Sequence, residues 1–161
     1  MDVRLATVDD AEAVRRIYNL EVTTSTVTFD LVPRSLEEQR AWLDARGGAH
    51  AVVVATEAGA VVGFASLSPY RDRPAYSTTV EDSVYVDRDW QGKGVGKLLL
   101  ADLMRVATAH GFHAVMARIV GGHDASIALH RSLGFELVGT EREIGRKFNR
   151  WLDVVVMQRL L

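Results

Sequence analysis

Three groups of residues in this chain have types and spacing that could do chemistry. The first is Gln91-Gly92-Lys93-Gly94-Val95-Gly96-Lys97, where three glycines alternate with larger residues and two lysines add charge. It stands where a strand pattern gives way to a helix pattern. Glycines there let backbone N–H groups converge, and a helix N-terminus adds partial positive charge, so the stretch suits a phosphate or pyrophosphate. A Walker A loop would need Gly at 91 and Ser or Thr at 98, but Gln91 and Leu98 stand there. A dinucleotide fingerprint would need a third Gly where Lys97 stands. What remains is Q-x-x-G-x-G. A plain strand–helix turn is the competing reading, but glycine costs about 1 kcal/mol relative to alanine inside a helix, so three of them call for a reason.

The second group is Glu81 and Asp82, adjacent acids in the middle of a strand pattern. Side chains alternate along a strand, so the two face opposite ways. In a sheet covered on both sides, one of them is drawn towards a cleft, where a carboxylate can serve as a base towards an ammonium. An exposed strand face is the bland alternative. The third group is Arg71 and Arg73, flanking Asp72 in a loop before that strand. A guanidinium pairs bidentately with a carboxylate, although loop arginines are often only solvated charge. Phe29, Tyr70 and Phe148 could wall a small site or simply pack into the core. His130, on a short helix, can donate a proton near neutral pH, but a lone helix histidine is often merely packed. The five histidines show no metal-ligand spacing, and there is no G-x-S-x-G nucleophile motif. No metal is expected.

The elements that must position these residues follow from the pattern. Val3 to Ala6 reads as a strand. Thr7 with Asp10, and Ser35 with Glu38, are capping-box signals that open two helices, the second stopping at Gly47-Gly48. The stretch STVTFDLVP between them reads as a loop. Strands follow at 51–56 and 61–67 as a hairpin, then at 78–86. The glycine stretch opens a helix with Val95, Leu99, Leu103, Val106 and Ala107 on one face, ended by Gly111. A strand at 114–120, a helix at 125–133, a strand starting at 135–138 and a buried run at 154–157 complete the order β-α-α-β-β-β-α-β-α-β-β. That order predicts an α/β fold with a mixed sheet and helices on both faces.

The 161 residues suit one domain, 1–161, with no repeat or linker. Hydrophobic residues at 48% and charged residues at 25% are the balance of an ordinary soluble domain. A formal net charge of −2 with no basic stripe argues against nucleic-acid binding. No apolar run is long enough to span a membrane, and MDVRLATVDD lacks the order of a signal peptide. With no cysteine, the chain has no disulfide, thiolate metal site or Cys nucleophile. The expected location is the cytoplasm.

The Q-x-x-G-x-G element resembles the pyrophosphate-binding motif of the GNAT acetyltransferase superfamily. Further segments, YNLEVTTSTVTFD, WLDAR, TTVEDSVYV, ASIALHRSLGF and GRKFNRWLDVVVMQ, resemble the phosphinothricin and methionine-sulfoximine N-acetyltransferase group. The resemblance covers nearly the whole chain. It implies a splayed, mainly antiparallel sheet and direct transfer of an acetyl group from acetyl-CoA to the α-amine of a small amino-acid analogue, within a ternary complex. It places the pantetheine arm on Val84, Tyr85 and Val86, and the pyrophosphate on Gln91, Gly92, Lys93, Gly94, Val95, Gly96 and Lys97. It favours Glu81 as base, puts His130 near the CoA sulfur as general acid, and places Val80 to Asp82 with Phe29 and Tyr70 to Arg73 around the substrate, Arg71 on its carboxylate. It also implies a homodimer. Relatives commonly carry Asn where this chain has His123, and an imidazole can replace only part of an amide's contact to CoA. General amine or protein N-terminal acetylation, and non-catalytic acyl-CoA binding, are the rival readings.

Overall fold

The computed structural model describes Met1–Leu161. In chain order its elements are β1 (Asp2–Leu5), α1 (Ala11–Thr24), α2 (Leu36–Asp44), β2 (Val52–Glu57), β3 (Ala60–Pro69), β4 (Thr79–Val86), α3 (Val95–Ala109), β5 (Ala114–Val120), α4 (Asp124–Ser132), β6 (Glu136–Lys147) and β7 (Arg150–Leu160). Both capping boxes form: the Asp10 carboxylate accepts from Thr7 N–H, and Ser35 and Glu38 cap one another reciprocally. None of these helices is long and apolar enough to cross a membrane.

The seven strands make one sheet in the order β1-β2-β3-β4-β5-β7-β6, antiparallel at every pairing except β4 with β5. Helices lie on both faces, and the core divides accordingly. Under α3 and α4, Leu99, Leu100 and Leu103 pack on Val80, Val115 and Met157. Under α1 and α2, Val14, Ile17 and Tyr18 pack on Val54 and Phe64. Successive β4 side chains therefore serve different faces, Val80 and Val84 one and Tyr85 the other.

Two elements differ from the sequence pattern. Only the last three residues of the glycine stretch are helical; α3 begins at Val95. Gly92 and Gly94 have φ of +74° and +84°, a left-handed backbone that breaks helical geometry before it starts. The last two strands are also far longer than their apolar segments, forming a hairpin that continues to the Phe148-Asn149 turn.

Candidate active site

The parallel pairing of β4 and β5 lasts only three Cα pairs, Thr79–Glu81 with Ala114–Met116. Beyond it the strands part, and a cleft of about 630 Å³ opens between Ser83–Val86 on one side and Ile119–Val120 on the other. Over this length β4 still pairs with β3, and β5 with β7, on their outer edges. The edges facing the cleft have no strand partner, so β4 presents backbone donors and acceptors to an extended ligand, as a sheet edge does to an added strand. This fits the pantetheine arm expected along Val84 to Val86. Tyr85 also lines the cleft, with its ring stacked on Phe64 at a centroid distance of 5.3 Å.

The glycine turn closes one end of the cleft. The first helical backbone bond here is Leu98 N–H to the Gly94 carbonyl, at 3.1 Å, so the N–H groups of Val95, Gly96 and Lys97 have no partner within the helix. A Cβ placed on Gly92 or Gly94 would meet nothing within 4 Å, so the backbone there is open to a close-lying ligand. Gln91 donates from Nε2 to the Val86 carbonyl at 3.2 Å, tying the turn to the end of β4. Lys97 lines the cleft; Lys93 lies over the Trp90 ring, 4.9 Å from its centroid, and is not part of the lining. Valine at 94 would need a left-handed backbone that a β-branched side chain rarely adopts. Gly94→Val is therefore expected to weaken acetyl-CoA binding by at least about tenfold while the core folds. Calorimetry showing unchanged affinity in the folded variant would contradict that placement.

Glu81 and Asp82 both line the cleft, from opposite faces of β4. Burial raises the Glu81 pKa above the ordinary carboxylate value; Arg118 and Arg71 pull it down, Asp82 pushes it up, and the net shift is upward. That makes the carboxylate a stronger base than an exposed one. Asp82 turns to α4, where its two oxygens lie 2.9 and 3.1 Å from Nε2 of His130. His130 is 2% exposed, and its Nδ1 lies 2.8 Å from the Ser126 carbonyl. A carbonyl only accepts, so Nδ1 carries a hydrogen, and a proton also sits between Nε2 and Asp82. Burial disfavours the imidazolium, but Asp82 and the Ser126 carbonyl outweigh it and the His130 pKa is raised. Both nitrogens are thus engaged within the protein, although His130 is among the residues lining the cleft.

His123 stands at the N-cap of α4 and lines the cleft; burial lowers its pKa, so it is neutral at neutral pH. Opposite, Glu21 is held by Arg88 at 3.0 Å and Ser25 at 2.6 Å. Phe29 reaches the cleft from the loop after α1, and that loop is pinned by Lys147 Nζ donating to the Thr28 carbonyl at 2.8 Å. An added Cβ on Gly145 would overlap the Phe29 ring, so the close approach of loop and hairpin requires glycine there.

Not every expected residue reaches the cleft. Val80 is fully buried in the core beneath α3 and presents no surface to a substrate. Tyr70, Arg71, Asp72 and Arg73 lie outside the lining, with the Arg71 guanidinium over the Tyr70 ring at 4.9 Å. Arg71 is still close enough to act on the charge of Glu81. Phe148 is exposed at the hairpin turn. Conversely, sequence reasoning missed Arg118, Trp90, Leu129 and the Glu21–Arg88 pair. Only Arg118 carried a signal, as a lone charge in the apolar run AVMARIV.

A splayed mixed sheet with a free strand edge leading to a glycine turn at a helix N-terminus suits an extended thioester carrier with a pyrophosphate, such as acetyl-CoA. The chain belongs to the GNAT acetyltransferase family, whose domain model matches residues 3–156, and it catalyses acetyl-CoA-dependent N-acetylation. It is 42% identical over 158 residues to the L-methionine sulfoximine/L-methionine sulfone acetyltransferase of Pseudomonas paraeruginosa, covering 97% of this chain and 92% of the relative. Among solved structures it matches the phosphinothricin acetyltransferase of Sinorhizobium meliloti in complex with acetyl-CoA, with TM-score 0.95, 41% identity and coverage of 99% and 88%. It also matches the ribosomal-protein-alanine N-acetyltransferase of Brucella melitensis, with TM-score 0.98, 40% identity and full coverage of both chains.

Proposed function

We propose that the acceptor is the α-amine of a small amino-acid analogue of the phosphinothricin, methionine sulfoximine or methionine sulfone type. The observation that carries this is the half-buried Glu81 carboxylate flanked by arginine charge at the inner end of the cleft. A free amino acid offers an ammonium to the acid and a carboxylate to a guanidinium. Glu81, directly or through a water, takes the ammonium proton; the C–N bond then forms as the C–S bond breaks, and the thiolate leaves to be protonated. His130 does not supply that proton in this reading. It positions β4 and α4, and the thiolate is protonated by the solution or by the proton first removed from the amine.

The α-carboxylate is assigned to Arg71, whose loop borders the Glu81 strand. Methionine sulfoximine should therefore exceed its decarboxylated amine in kcat/KM, because the amine has no carboxylate for a guanidinium to pair with. Equal rates for the two would replace this reading with a general amine acetyltransferase. Loss of the preference in Arg73→Ala but not Arg71→Ala would move the contact to the neighbouring arginine.

The enzyme is further proposed to act in the cytoplasm, as suits a chain without cysteine, and as a homodimer. β6 is one of the sheet's two edge strands, and Ile144, Phe148 and Trp151 stand exposed around its hairpin. A cluster of large apolar side chains on the surface marks an interaction face. Sedimentation should give twice the chain mass, and Trp151→Glu should shift it to monomer. A wild-type monomer at all concentrations would overturn the assignment.

A further inference from the structure

Arg118 is the one charged residue of β5, a central strand whose other six side chains are apolar. Charge in such a strand is costly unless it is paired or used. Glu81 is in register with Met116, and Arg118 follows two residues on, so it projects from the same sheet face as Glu81, where the strands diverge. It lines the cleft with 30% of its side chain exposed. Its charge partner is Glu141 of β6, whose Oε1 lies 2.6 Å from one guanidinium nitrogen without forming a hydrogen bond. A guanidinium carries five N–H donors in a fixed fork, and Glu141 leaves them free for a ligand in the cleft. Arg71 acts on both Glu81 and Glu141, and Arg118 on Glu81, so charges of alternating sign surround the inner end of the cleft.

Resting on the amino-acid reading above, we propose that Arg118 is a second anion-reading residue, which takes the side-chain terminus of the acceptor. The preferred acceptors are then amino acids whose side chain ends in an oxyanion, a phosphinate or carboxylate, over those ending in a neutral sulfone. Arg71 and Glu81 read the amino-acid head, common to all such acceptors. Arg118 stands on the neighbouring strand, two residues beyond the level of Glu81 and on the same sheet face.

The test compares kcat/KM for phosphinothricin and methionine sulfone, which share the amino-acid head and differ in side-chain charge. Wild-type enzyme should prefer phosphinothricin. The double variant Arg118→Met/Glu141→Met removes the pair without leaving either charge buried alone. It should lower kcat/KM for phosphinothricin by about 10- to 150-fold, the size of a lost hydrogen bond to a charged group, mainly through KM. Activity on methionine sulfone should fall by a much smaller factor, since any loss common to both acceptors reports only the effect of Arg118 on Glu81. Arg118→Lys should restore part of the preference.

Equal losses on both acceptors, with the acid limb of the pH profile displaced, would overturn the proposal and leave Arg118 as a modulator of Glu81, which also faces Asp82 and Arg71. No wild-type preference would overturn it while sparing the amino-acid reading. A wild-type enzyme inert towards both, yet active on a simple amine, would overturn that reading and this proposal together.

Discussion

Glu81→Gln is expected to lower kcat by about 10²–10⁴-fold, the usual contribution of a general base, with acetyl-CoA affinity unchanged. Glutamine keeps the shape of the side chain and its place on β4 but cannot accept the ammonium proton. The glycine turn and the free β4 edge lie further out along the cleft and are untouched. The pH dependence gives an independent handle. Burial raises the Glu81 pKa despite Arg118 and Arg71, and the base works only when ionised. Activity should therefore fall as pH drops through a value above the ordinary carboxylate range near 4.3. Stopped-flow or steady-state thiol release checks both. A Glu81→Gln variant with wild-type rates across neutral and mildly acidic pH would remove Glu81 from the mechanism.

Asp82→Ala should cost about 1–3 kcal/mol of stability, because it leaves Nε2 of the buried His130 without a partner. The pair joins β4 to α4, beside the point where β4 leaves β5, so the same variant should also loosen acetyl-CoA binding. The linkage has a definite sign. The folded-state pKa of His130 is raised above the ordinary imidazole value near 6.5. Its contribution to stability is therefore complete below pH about 6.5 and is lost as pH rises through the folded value. Urea melts of the wild type should show a declining midpoint over that alkaline window, and His130→Gln should flatten the decline. A wild-type midpoint that rises over the window would reverse the assigned protonation.

Much of this architecture is legible in the sequence. Elements that bury one face carry their period into it: Val95, Leu99 and Leu103 mark the inner side of α3, and the capping residues mark where α1 and α2 begin. The β6–β7 hairpin is only half legible. Its outer strand bears Glu141, Arg142, Glu143 and Arg146 and lies mostly open to solvent, so no alternation marks it as a strand. The glycine turn is readable because its backbone demand selects residue types, and Glu81 because two adjacent acids in a strand are unusual. The Asp82–His130 clasp is not readable. Its partners lie 48 residues apart, and nothing in the spacing says that a β4 acid meets an α4 imidazole. Arg71 illustrates the converse: a loop arginine has the right chemistry, but only the fold decides whether its side chain enters the cleft. Arg118 does enter, through its parity on β5.

Acetyl-CoA-dependent acetylation of an amino-acid amine is tested most directly by one coupled assay. Purified protein, acetyl-CoA and phosphinothricin or methionine sulfoximine would be mixed, with free thiol followed in time and the acceptor product identified by mass. Thiol and N-acetyl amino acid are expected in equal amounts, both dependent on the acceptor and both suppressed in Glu81→Gln. Folded wild-type protein that binds acetyl-CoA but acetylates neither amino acid, while acetylating an alanine-initiated peptide, would contradict that reading.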